Sequence, residues 1–129
     1  MSGDNGRFVI TFNGEIFNHV ELRRDLEAQG HRFRTSTDTE VIPHLFERFG
    51  ERCLSKLNGD FALAIWDTVR ERMFLARDRM GVRPLFYTRH RGTVYFASEV
   101  KALLKVPGLE ATLDIKALDQ IFTPWAFHW

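Results

Sequence analysis

The chain has 129 residues, enough for one domain with a real core and too few for two comfortable ones. Hydrophobic residues make up 44% and charged residues 27%, the balance of a soluble globular domain rather than a disordered or membrane-embedded one. A formal net charge of +1 points to neither nucleic acid nor membrane as a partner.

Residues 7–12, RFVITF, alternate with Phe8, Ile10 and Phe12 on one face, which predicts a strand running into Asn13-Gly14-Glu15. Asn18-x-x-Glu21 has the form of a capping box, and HVELRRDLEAQ follows as a helix that stops at Gly30. HRFRT reads as a short second strand. Thr37-x-x-Glu40 is a second capping-box pattern, opening a helix with Val41, Ile42, Leu45, Phe46 and Phe49 inward and Gly50 as terminator. Pro43, early in that helix, predicts a distorted first turn. ERCLSKL adds a helical turn before the break at Asn58-Gly59.

DFALAIWD is a nearly continuous apolar run, the pattern of a strand covered on both faces. ERMFLARD, RPLFYTRH and TVYFASE follow as strands, with turn signals at Met80-Gly81 and Arg91-Gly92. VKALLKV and DIKALDQIF are brief helices on either side of a turn at Pro107-Gly108. Early helices between strands, a later run of antiparallel strands and a doubly covered strand together predict an α+β fold of the layered α/β/β/α sandwich type.

The single cysteine, Cys53, excludes an internal disulfide and suits a reducing, cytoplasmic setting. No apolar run approaches the ~18 residues of a membrane-spanning helix. His19, His31, His44, His90, His128 and Cys53 lack the paired spacings of metal sites, so no metal is expected, and no Walker loop or GxGxxG turn offers a nucleotide cradle. Residues 70–91 hold seven Arg against two acids, but no aromatic platform signature accompanies them, so a solvated strand face is expected rather than a nucleic-acid stripe. Trp125, Phe127 and Trp129 form an aromatic tail, read as core or interface rather than as a membrane anchor.

Spacing alone offers one chemical idea. Asn13-Gly14 at a strand end can aim a side-chain amide and an unencumbered backbone N–H at one point, as an oxyanion hole does. Glu15 and Asp38, at two element ends, could hold an ammonium group. Asn-Gly is equally the commonest turn signal, and Asp38 equally suits a helix cap.

The strings NGEIFN, TSTDTEVIPHLFERFG, LNGDFALAIWD, FLARDRMGVRPLFY and FASEVKALL occur in this order over about residues 7–113. Together they resemble the glutaminase domain of the asparagine synthetase family, a class II glutamine amidotransferase with the N-terminal-nucleophile hydrolase fold. Amidophosphoribosyltransferase and glucosamine-6-phosphate synthase share the Asn-Gly, Asp-Thr-Glu-Val and Gly-x-x-Pro-Leu elements but match the LNGDFALAIWD and FASEVKALL strings less well. A non-catalytic scaffold of the same fold is the remaining alternative.

The resemblance implies glutamine as the small-molecule partner. Asn13 and the Gly14 N–H would form the oxyanion hole, and Asp38 with Glu15 would bind the α-ammonium. It also implies an N-terminal cysteine nucleophile whose own amine is the base, and an arginine loop for the substrate carboxylate. Neither lies ahead of Asn13 here. Cys53, mid-chain and in an apolar-patterned segment, and Ser2, on too short a leader, do not replace the nucleophile. The expectation is therefore an incomplete glutaminase domain over residues 1–113, inactive alone, with 114–129 leading toward a missing synthetase domain. That domain would carry the ATP and magnesium; this chain would need no cofactor. Uncovered strand edges would favour a homo-oligomer.

Overall fold

The computed structural model describes residues 6–122, so Ser2 and the Trp125–Phe127–Trp129 tail lie outside the described residues. The chain divides into two compact units, the first ending at Phe86 and the second beginning at Tyr87. In the first, β1 (Phe8–Ile16), β2 (Gly59–Asp67) and β3 (Arg72–Arg77) form an antiparallel sheet in that order. The connection from β1 to β2 contains α1 (His19–Glu27), a short 3-10 turn at Asp38–Glu40, α2 (Val41–Phe49) and a 3-10 segment at Gly50–Lys56.

The β1–β2 register is unbroken from Phe8 opposite Asp67 to Ile16 opposite Gly59. Partners across an antiparallel pair point to the same face. Phe8, Ile10, Ile16, Phe61, Leu63 and Ile65 therefore share one face, and they form a core with Leu26, Val41, Ile42, Leu45 and Cys53 of the helical layer. Burying each large aliphatic side chain here contributes about 1.5–3 kcal/mol. On the opposite face Ala62 and Ala64 are also buried, as the continuous apolar run predicts, while Val9 and Met73 beside them are 44% and 42% exposed. The amphipathic α2 packs its inner side on the sheet through Phe46, whose ring meets Phe8 edge-on at 5.2 Å.

Arg7 locks the far end of the sheet. Its Nε and one terminal nitrogen donate to the two Asp67 oxygens at 2.9 and 2.7 Å, which holds that buried carboxyl well below the usual range. Asp67 also accepts the Val69 and Arg70 N–H groups, closing the β2–β3 turn. Asp78 does the same for the following loop, accepting from Val82 and Arg83 at 3.0 and 3.1 Å.

The second sheet pairs β4 (Phe86–His90) with β5 (Thr93–Ala97) across Arg91-Gly92, both at positive φ as a tight two-residue hairpin turn requires. The helices α3 (Val100–Leu103) and α4 (Ile115–Phe122) follow, with Leu103 buried. The fold is thus mixed α/β with antiparallel sheets.

Three sequence expectations are corrected. HRFRT is not a strand; its backbone is engaged by the Glu40 side chain instead of a ladder. Neither capping box is made. Asn18 donates from its amide to the Lys56 carbonyl and accepts from the Asn58 N–H, which ties α1 to the entry of β2. Thr37 caps nothing with its side chain, because Glu40 reaches past it to Thr35. The distorted first turn before Pro43 is present as the 3-10 turn at Asp38–Glu40.

Candidate functional site

The four residues singled out by sequence come together at the C-terminal half of β1. The Thr68 N–H donates to the Arg7 carbonyl, and the Phe17 N–H to the Asn58 carbonyl, so odd-numbered β1 residues face β2. Even-numbered ones must then turn their N–H groups to the free edge. Two observations agree. The Phe61 carbonyl, opposite Gly14, accepts from Asp78 on the far side of β2, and the Ile16 N–H donates outward to Asp38 Oδ2 at 2.8 Å. The Gly14 N–H therefore points from the same edge on which Asp38 is held, two residues along.

Glycine is required at position 14 on two counts. Its φ is +147°, and a Cβ would lie 2.0 Å from the Asp60 carbonyl oxygen and 2.7 Å from the Phe61 Cα. A non-hydrogen-bonded antiparallel pair brings the strands close, and here nothing larger fits. Asn13 and Glu15 lie on one face of the strand, both exposed, and opposite Asn13 stands Ala62.

Opposite Glu15 stands Asp60, a residue the sequence reading did not select. Like charges directly across a sheet are destabilising. Asp38 is held at the adjacent edge by the Ile16 N–H, so this end of β1 has acidic residues on the strand, across from it and beside it. Asp38 itself is seated by the 3-10 turn, and that turn is fixed by Glu40. The Glu40 carboxylate is 6% exposed and accepts from Arg34 N–H at 2.7 Å, Thr35 N–H at 2.8 Å and Thr35 Oγ1 at 2.6 Å. Burial works to raise its pKa, but these hydrogen bonds win and hold it below the ordinary value.

Two hollows open in the first unit, the second reaching this corner through Asp60. One of about 530 Å³ sits at the opposite end of the sheet against Arg7, Phe8 and Asp67 and contains none of the four residues. Another, of about 440 Å³, is lined by Asp60, Phe61, Arg77 and Asp78. Asn13, Gly14, Glu15 and Asp38 line neither hollow and sit along the strand edge. Cys53 is fully buried in the helical layer, and burial pushes its thiol up to about 11, far from a reactive thiolate.

Asn13-Gly14 on an edge strand, with Asp38 seated beside it, is the arrangement that the resemblance to an amidotransferase domain implies. The chain belongs to the glutamine amidotransferase domain family, whose model matches residues 1–128. It is 44% identical over 115 residues to asparagine synthetase (glutamine-hydrolyzing) 3 of Bacillus subtilis (strain 168), covering 89% of this chain and 19% of that protein. It is 48% identical over 109 residues to putative asparagine synthetase (glutamine-hydrolyzing) 1 of Methanocaldococcus jannaschii, covering 81% of this chain and 19% of that one. Among solved structures, the glutamine phosphoribosylpyrophosphate amidotransferase of B. subtilis matches with TM-score 0.67 and 36% identity, over 79% of this chain and 24% of that chain. The chain thus spans about a fifth of the length of these curated relatives. No helix among the described residues is long and apolar enough to cross a membrane.

Proposed function

We propose that this chain supplies the oxyanion hole and ammonium clamp of a glutamine-hydrolysing domain in a parent enzyme of the asparagine synthetase type. The observation that carries the reading is the shared edge of Gly14 and Asp38. Two strand residues span about 7 Å, close to the reach of glutamine from its α-amine to its carboxamide oxygen. Asp38, with Glu15 and Asp60 adding negative charge, holds the ammonium. The carboxamide oxygen then lies at the Gly14 N–H with the Asn13 amide beside it. Both donate to that oxygen as it takes up charge in the tetrahedral state.

The attacking thiolate is the N-terminal cysteine that the family resemblance implies, because Cys53 is buried and protonated. In the parent, the released ammonia amidates aspartate in a synthetase domain that binds ATP and magnesium, and the layers complete an α/β/β/α sandwich. The greater identity to asparagine synthetases than to the phosphoribosyl-type neighbour supports that acceptor.

The isolated chain is expected to release no ammonia from glutamine above a protein-free blank, with or without Cys53→Ala. In the full-length parent, Asn13→Ala should lower glutaminase kcat by about 10²–10³-fold, while synthesis fed with free ammonia is unchanged. Ammonia release by the chain that Cys53→Ala abolishes would make that thiol the nucleophile. An unaltered kcat in Asn13→Ala would remove Asn13 from the oxyanion hole.

A further inference from the structure

His31 and His44 stand 13 residues apart in sequence, yet the fold brings their Nδ1 atoms to 3.2 Å. His31 follows the α1 terminator at Gly30, and His44 lies in α2. Glu47, one turn further along α2, shares the His44 face of that helix. One ligand atom from each of the three falls within 4.8 Å of the others.

We propose that His31, His44 and Glu47 form a zinc site with an open fourth position. Zinc takes imidazole nitrogens at about 2.0–2.1 Å in tetrahedral geometry, which sets two such nitrogens about 3.3–3.4 Å apart. The observed separation of 3.2 Å lies within about 0.1 Å of that range. Ring orientation gives a second, independent reading. An imidazole lone pair points outward along the line from the ring centre through the nitrogen. Two rings aimed at one tetrahedral zinc therefore have centres about 5.1–5.3 Å apart. A straight N–H···N hydrogen bond at the same nitrogen separation would set them about 5.5 Å apart. The centroids are 5.1 Å apart with planes at 78°, so the two nitrogens are angled rather than in line.

The surroundings suit a small cation bound from one side. His44 is 1% exposed and packs on the Phe33 ring at 4.5 Å, which fixes its plane. His31 is half-buried and Glu47 exposed, leaving an approach from solvent for the ion and a water. The Arg7 guanidinium, which grips Asp67, also faces Glu47, so an ion would share that carboxylate with it. Two imidazoles and one carboxylate favour zinc over calcium or magnesium, which take oxygen ligands. The ion would clasp the segment between His31 and His44, and that segment carries Asp38.

The test uses the whole chain, stripped with a chelator and titrated with zinc sulfate by calorimetry and with cobalt chloride by visible absorption. One equivalent of zinc and the intense visible bands of tetrahedral cobalt are expected, with zinc raising the melting temperature. His31→Ala and Glu47→Gln should each weaken zinc by at least about tenfold, the loss that even an outer-shell partner costs. His19→Ala should leave binding unchanged. Zinc affinity equal in wild type and His31→Ala, or only the pale spectrum of octahedral cobalt in the wild type, would reduce the pair to a histidine–histidine hydrogen bond and overturn the proposal.

Discussion

Gly14 shows how one residue can be required by both backbone and neighbours. A side chain there would meet the Asp60 carbonyl at 2.0 Å while the backbone holds φ at +147°. Gly14→Ala should therefore cost about 2–4 kcal/mol, combining backbone strain with overpacking. Urea denaturation measures this, and a loss under about 0.5 kcal/mol, the range of neutral surface changes, would mean that the strands separate easily at this point. Asn13, Gly14, Glu15 and Asp38 stood out in the sequence because chemistry-bearing residue types were read at element ends, although β1 runs on past Asn13-Gly14 to Ile16. Asp60 was not, since an acid at the start of an apolar run reads as a solvated strand entry. Only the register, which sets it opposite Glu15, gives it meaning. The His31–His44 approach was hidden for a similar reason: ligand spacing along a chain says nothing when a turn and a helix supply the two ends.

At the scale of elements, the segment from His31 to Glu40 was misread because local pattern looked like a strand and a capping box. HRFRT alternates, but an extended segment becomes a strand only where a neighbour offers a ladder. Here the partner is one carboxylate. Glu40 takes the Arg34 and Thr35 N–H groups, and the 3-10 turn bearing Asp38 is the result. Glu40→Gln should cost about 1.5–3 kcal/mol at neutral pH, the scale of hydrogen bonds to a charged group. The Glu40 pKa is depressed on folding, so its contribution is full above the unfolded value of about 4.3 and is lost as pH falls through the lower folded value. The stability gap between wild type and Glu40→Gln should accordingly close in acid. A gap that stays constant with pH would assign the loss to shape rather than charge. By contrast β2 was read correctly from sequence, because a run of five buried residues, Phe61 to Ile65, leaves no alternating pattern to misplace.

For the whole molecule, the first unit presents a sheet with β1 and β3 at its two edges and with Val9 and Met73 open on the face away from the helices. Edge strands and exposed apolar side chains are templates for pairing with another chain. A dimer or higher oligomer is expected, and light scattering over a dilution series checks it; a monomer persisting at high concentration would show the edges to be blunted. The connectivity of the same sheet also fixes an order in time. The β2–β3 pair closes across a tight turn at Asp67, a step on the order of microseconds. The β1–β2 ladder instead spans residues 17–58 and yields little until both helices present a face to it. Side-chain truncations in β3, such as Leu75→Ala, should thus slow refolding more, per unit of stability lost, than Phe12→Ala in β1, which should mainly speed unfolding. Asn13 and Gly14 should then arrive with the last strand to dock, so the proposed oxyanion donors are expected only in the fully folded chain.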